Sequence, residues 1–444
     1  MKIKLVNKAL FAAGLLTVLG ASAFAAANPI IHSGSDFESL LKSPSSCTSA
    51  GACPSGAYFV DQSDYSDPAQ AAAALYKLGT TIGGSQDGTV AGPATQWSKD
   101  RYAILIGSGT YDMVNPTTTT AYPQPFKIGY YTEITGVASN REDVVVAPGI
   151  NSLNDCNESL PWTSLPSTCK TVGGLNNFWR SLGNLTIDSS QLLLPENVAN
   201  PAGSKPNAAT SLRFAISQAA PIRNVHFSGL SGNDSGGNAK GVLLCDWDTG
   251  SDCGYASGGF ISDSTFSGIV GAGSQQQFYI SNSTFDKWEA GTWNMVSSNN
   301  TGTIKPVGVD TNPTTKTNNQ WSSGSGFPFT TVTNPVTVPH KPRLTYTSKD
   351  GSTAAYWEVS LGDSANTVKP ISDFTILTPG TFSTSDINTI NADIKKSTSA
   401  GLIIMPGIYN LQGVLDIPAS KTVLGIGIPS LQCNSASGAC MTTD

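Results

Sequence analysis

Four stretches of this chain say nearly the same thing. Leu182-Gly-Asn-Leu-Thr-Ile187, Ile222-Arg-Asn-Val-His-Phe227, Ile261-Ser-Asp-Ser-Thr-Phe266 and Ile280-Ser-Asn-Ser-Thr-Phe285 each set Asn or Asp two residues after an aliphatic residue, with a second apolar residue three further on. Their starts lie 40, 39 and 19 residues apart. A unit near 20 residues, sometimes doubled or carrying a loop, is the mark of stacked β-coils in which each coil contacts only its neighbours. Alternate strand side chains point inward, so the aliphatics and Phe predict a continuous core. Asn at the turn predicts a hydrogen-bonded ladder from coil to coil. A sandwich or a propeller competes with this reading, but propeller blades need about 40–50 residues and the 19-residue step fits them poorly. The chain reads as all-β, a right-handed parallel β-helix. The abundance of Gly (45) and Pro (26) agrees, because it favours turns and short strands over helices.

A longer repeat divides the molecule. "AILIGSGTYD" (103–112) returns as "LIIMPGIYN" (402–410), aligning Gly109 with Gly407 and Tyr111 with Tyr409, 298 residues later. Each copy comes after a predicted helix. The first spans 67–78, with Asp67 as N-cap and Pro68 in the first turn; the second spans 383–396. A helix, a strand into this motif and a first coil describe the capped beginning of a β-helix, so the chain begins one twice. The expected organisation is a signal peptide (1–25), a first β-helix with an N-terminal capping helix (26–320), a linker with a hairpin turning at Lys349-Asp350-Gly351 (321–372), and the start of a second β-helix (373–444). A β-helix needs several coils to bury its core, so a truncated or partial product is expected at Asp444.

The N-terminus carries an address. Lys2, Lys4 and Lys8 precede a short apolar run and a small-x-small cleavage site, Ala21-Ser22-Ala23. That run is too short to span a bilayer comfortably. The expectation is a secreted or periplasmic protein with no membrane contact after cleavage. Eight Cys form four sequence-local pairs, Cys47/Cys53, Cys156/Cys169, Cys245/Cys253 and Cys433/Cys440, each read as a disulfide that staples a loop in an oxidising compartment. Three His, none in a triad context, argue against Ser-His-Asp or Cys-His catalysis. A formal net charge of −6 argues against nucleic acid as a partner.

Four longer words carry more information than the repeat alone: "NNFWRSLGNLTIDSS" (176–190), "LRFAISQAAPIRNVHFSG" (212–229), "SGGFISDSTFSG" (257–268) and "QQFYISNSTFDKW" (276–288). With the twin start, their order resembles the two-β-helix glycoside hydrolases of family 55, within the pectate-lyase-like superfamily. It is also similar to bacterial secreted proteins that carry the labels coagulation factor 5/8 type or adenylyl cyclase, although no residue pattern supports either activity. The resemblance to family 55 implies inverting hydrolysis of β-1,3-glucan, no cofactor, a β-glucan-like polysaccharide as partner, and a monomer. Such chemistry needs an acid at the leaving oxygen and a held water on the other face. The resemblance places that acid on the second β-helix, beyond Asp444, so the catalytic residues stay unassigned and the 444-residue form is expected to be inactive. It also implies that Gln218, Ser257 and Gln276 face the groove between the helices, where they would bind sugar hydroxyls or position water. The bland alternative for each is a ladder or turn residue.

Trp288 and Trp293 could offer sugar platforms, although Trp at a coil end is more often core. Asp246, Asp248 and Asp252 crowd one predicted disulfide loop and could hold Ca²⁺, but the spacing is not that of an EF-hand and a solvated turn is the simpler reading. The alternatives to a hydrolase are a non-catalytic polysaccharide-binding or adhesion β-helix and a pectate-lyase-like lyase. The lyase would want Ca²⁺ and a Lys or Arg base on one face, a cluster that the sequence does not display.

Overall fold

The computed structural model describes residues 31–48, 53–84, 97–113, 125–153, 177–192, 211–233, 240–245, 255–272, 274–275, 277–289, 294–304, 329–332, 340–348, 354–362, 366–434 and 438–443. The repeated lines stack in the register that their alignment predicts. Tyr58, Ile104, Ile134, Leu182, Ile222, Ile261 and Ile280 are successive partners in parallel strands, and all are buried. A second inward row runs Tyr111, Val146, Ile187, Phe227, Phe266, Phe285. Its Phe rings stack at 4.6 and 5.2 Å, close to the spacing between neighbouring strands. The architecture is a right-handed parallel β-helix. Its main sheet runs from Gly56–Val60 to Phe329–Val332, past the expected boundary at residue 320.

Between the two rows the chain must turn, and Asn184, Asn224, Asp263, Asn282 and Asn299 do this with φ between 47° and 55°. Asn and Asp tolerate that left-handed backbone better than other side-chain-bearing residues. The ladder is real but interrupted. Asn224 Nδ2 donates to Asn184 Oδ1 (2.7 Å) and Asn299 Nδ2 donates to Asn282 Oδ1 (2.9 Å). Asp263, between these pairs, has no amide to donate. Arg141 bridges the gap, donating to Asn224 Oδ1 (3.5 Å), the Asp263 carbonyl (2.8 Å) and Thr265 Oγ1 (2.9 Å).

Both capped beginnings are present. The helix Pro68–Gly83 starts with Asp67 accepting from the Ala69 N–H and runs five residues beyond the expected 78. The helix Thr384–Lys395 starts with a reciprocal capping box between Ser383 and Asp386. The shared Tyr has one role in both. Tyr111 O–H donates to the carbonyls of Gly107 and Val60, and Tyr409 O–H to those of Met405 and Leu377. Each hydroxyl thereby ties its own strand–turn to the preceding coil. Burial pushes both phenols above their ordinary pKa.

The second β-helix stacks Phe374–Leu377, Gly401–Ile404 and Thr422–Gly425 in parallel. Its outer edge pairs with Ile31–Ser33 in antiparallel fashion. The segment expected to be a linker with a hairpin packs against both β-helices. Arg343–Thr347 and Tyr356–Ser360 pair as a hairpin, and the expected turn at Lys349-Asp350-Gly351 lies outside the described residues. Leu344, Tyr346, Trp357 and Val359 share one buried cluster with Ala103 and Leu105 of the first helix and Ile403 and Leu424 of the second. Phe59 meets Tyr346 and Trp357 edge-on at 4.8 and 4.9 Å. Apolar burial of this kind mortars the two β-helices together.

Cys47–Cys53 and Cys433–Cys440 are disulfides, as their proximity predicts. Cys245 is disulfide-bonded as well, whereas Cys156, Cys169 and Cys253 lie outside the described residues.

Candidate functional site

Where the β-helices approach each other, a groove of about 260 Å³ opens. Three elements wall it. The first helix supplies Glu133, Ser181, Asn184, Arg223 and Asp263, the arm before the hairpin supplies His340 and Lys341, and the second helix supplies Leu424, Gly425 and Ile426. Strand periodicity explains the first wall: the inward residues Ile134, Leu182 and Ile222 fill the core, so their neighbours Glu133, Ser181 and Arg223 project outward.

Two pairs of the groove's ionisable groups meet across elements. Glu133, itself buried, accepts from Lys341 Nζ at Oε1 (2.6 Å) and from the Gly427 N–H at Oε2 (2.8 Å). Both oxygens are therefore engaged in holding the walls together. Asp263 Oδ1 lies 3.1 Å from His340 Nδ1. The Arg223 guanidinium sits 4.5 Å from the Phe260 ring centroid. Burial lowers its pKa, and the carboxylates of Glu133 and Asp263 oppose that shift. Chemically, the first-helix wall and the arm together offer a carboxylate, an imidazole and a guanidinium beside the Asn ladder, a set suited to hydroxyl-rich ligands. The second-helix wall is apolar at Leu424, Gly425 and Ile426.

The residues singled out from the sequence fall in different places. Ser257 is buried, and its Oγ donates to Ser217 Oγ (3.2 Å) or Gln218 Oε1 (3.3 Å), one coil away. Gln218 is exposed on the lip of a broader hollow of about 570 Å³, with Arg223, Phe260, Gln277 and Tyr279. Arg223 lines both cavities. Trp288 is corrected: it is fully buried, edge-on to Phe278 at 5.5 Å and Phe285 at 5.2 Å, and its faces belong to the core rather than to a sugar platform. Gln276, Trp293 and the acidic trio Asp246, Asp248 and Asp252 lie outside the described residues. Among the described residues no group of three or more His, Cys, Asp or Glu could hold a metal ion.

Sequence reasoning missed Asp263 and His340 as a pair. Asp263 carried one signal, as the lone acid in a column of Asn; His340 lay in a stretch read as linker.

Known proteins share this fold. A relative described as an exo-beta-1,3-glucanase from Streptomyces sp. (strain SirexAA-E / ActE) is 28% identical over 349 residues, which is 76% of this chain and 44% of the relative. The structure of sacteLam55A from Streptomyces sp. SirexAA-E superposes with a TM-score of 0.55 at 23% identity, covering 88% of this chain and 57% of that one. A variant of sacteLam55A in complex with glucose gives a TM-score of 0.54 at 24% identity, covering 87% and 55%. The chain thus spans about half the length of the relatives it matches. These likenesses support a pectate-lyase-like superfamily fold resembling glycoside hydrolase family 55. The model for rhamnogalacturonase A/epimerase, pectate lyase-like proteins matches residues 94–326, more than half of the sequence, and the chain belongs to that family.

Proposed function

We propose that this chain is the β-1,3-glucan-recognising part of an exported glycoside hydrolase, and that its substrate lies in the groove between the two β-helices. The observation that carries this reading is the polar first-helix wall, with Asp263, Arg223 and the Asn ladder open to one groove. Support comes from the relative described as an exo-beta-1,3-glucanase, to which three quarters of the chain is similar. The charged, apolar, small-residue N-terminus supports export.

Hydrolysis needs an acid opposite the water-holding wall. Glu133 is engaged by Lys341 and Gly427, and the described second-helix wall presents only Leu424, Gly425 and Ile426. The same observation favours a second reading, a purely glycan-binding protein.

The test is to titrate the 444-residue protein with laminari-oligosaccharides by calorimetry and to assay glucose release from laminarin, with pectate plus Ca²⁺ as control. Binding without glucose release is the expected result. Glucose release would overturn the inactivity of this form and favour a hydrolase complete in itself. Absence of binding would sink the β-1,3-glucan assignment, and cleavage of pectate would replace it with a lyase.

A further inference from the structure

Beside the groove, the fold does something that its own economy argues against. The Asn-bearing turn solves the problem of a left-handed backbone with residues suited to it. The turn at the other end of the same strands places Tyr131 (φ 51°) and Trp179 (φ 52°) there instead. Bulky aromatics are true outliers in this region, and such strain persists only where the surroundings impose it. The surroundings here are specific. Trp179 stacks on Tyr131 at 5.0 Å and 12°, and meets Tyr130 edge-on at 5.4 Å. Arg180, fully buried, backs the cluster with its guanidinium 4.7 Å from the Tyr130 ring centroid and 5.3 Å from that of Trp97. Arg101 covers the far side of Tyr131 at 4.0 Å and reaches Ser430 of the second β-helix. The stack therefore faces the partner helix.

In strand register, the two coils after Trp179 carry Ala219 (φ 58°) and Gly258 (φ 100°) at the same turn. Neither has a side chain that could cover an indole. Coils are spaced about 4.8 Å apart, so Trp179 overlooks a notch roughly two coils deep, on the order of 10 Å. Trp179 keeps 39% of its surface exposed. Exposed Gln218 and Gln277 flank the notch, and Ser181, two residues after Trp179, lines the main groove.

The geometry points to a pyranose-stacking subsite at Trp179: beside its tilted contact with Phe178 at 5.6 Å, the exposed part of the indole receives one ring of a β-linked glucan, in the notch over Ala219 and Gly258, with its hydroxyls within reach of Gln218 and Gln277. A flat apolar face rimmed by amides matches a pyranose, whose C–H face is apolar and whose rim is hydroxyl. The subsite rests on the glycan reading of the groove and extends the same binding surface along the first β-helix.

The test uses Trp179→Asn, because Asn is the residue this protein itself places at left-handed turns, together with Trp179→Tyr and Ala219→Trp, which fills the notch. Binding of laminarihexaose, cellohexaose and xylohexaose is measured by calorimetry, and thermal stability in parallel. Trp179→Asn should weaken binding about tenfold or more, the size of one well-packed aromatic contact, while its melting temperature is unchanged or higher. Trp179→Tyr should restore most of the affinity, and Ala219→Trp should abolish it. A lowered melting temperature with unchanged affinity in Trp179→Asn would show that Trp179 is structural and overturn the subsite. Wild-type protein that binds none of the three oligosaccharides overturns it as well. Trp179-dependent binding of cellohexaose or xylohexaose alone keeps the subsite and overturns only the β-1,3 assignment.

Discussion

Glu133 and Gly427, 294 residues apart in sequence, are joined by a 2.8 Å hydrogen bond from backbone N–H to carboxylate. The same carboxylate holds Lys341 of the intervening arm, so one side chain fastens all three walls of the groove. Glu133→Gln removes the charge from a buried position and weakens both contacts. It should destabilise the protein by about 2 kcal/mol, below the usual figure for a fully buried pair because Lys341 is partly exposed. Denaturant unfolding measures the loss, and unchanged stability would mean that the groove is held by its apolar cluster alone.

The ladder separates backbone conformation from hydrogen bonding. Asn224→Gly keeps the left-handed turn easy but loses the bond to Asn184 and the long contact from Arg141, together about 1 kcal/mol. Asn224→Ala loses the easy turn as well and should cost roughly 1 kcal/mol more. Equal melting temperatures for the two variants would show that the turn imposes no strain.

Glu142 sets an acid limit. Partial burial raises its pKa, but hydrogen bonds from His226, Thr186 and Arg141 together outweigh that and hold the carboxyl below its ordinary 4.5. A carboxylate with a depressed folded pKa stabilises the protein above its unfolded pKa, and the contribution is lost as pH falls through the folded value. Melting temperature should therefore decline as pH drops below about 4.5, and Glu142→Gln should flatten that decline. An identical profile in the variant would assign the decline to other carboxylates.

Trp288 supplies a control for the sugar subsite. As a buried core residue, Trp288→Phe should lower stability by about 1–3 kcal/mol through under-filling of the space between Phe278 and Phe285. Oligosaccharide affinity in the folded fraction should not change. Selective loss of binding at intact stability would restore the platform role that burial denies it.

The repeat made the fold legible. One aligned line per coil fixes register, because a one-residue slip would turn Ile222 and Ile261 out of the core. The twin Gly–x–Tyr motif worked for the same reason, since Tyr111 and Tyr409 answer identical local geometry. The groove was harder to read because it is made between coils and between helices. Asp263 and His340 are far apart in sequence, and nothing local announces that an arm will cross the turn column. Trp179 sits inside one of the family-like words, yet its exposure depends on Ala219 and Gly258 in later coils. Trp288 is the opposite case: its sequence neighbours are charged, but a register irregularity between Phe285 and Lys287 lets both Phe285 and Trp288 face inward.

The antiparallel strand Ile31–Ser33 constrains how the chain can be made. It is among the earliest described segments synthesised, yet its partner Phe374–Leu377 comes more than 340 residues later. The first β-helix can grow coil by coil from local contacts, whereas the strand made at the beginning must wait for the second helix to supply its partner. Assembly is therefore vectorial in its middle and circular at its ends. The slow step expected from such a distant pairing is closure of the loop rather than winding of the coils.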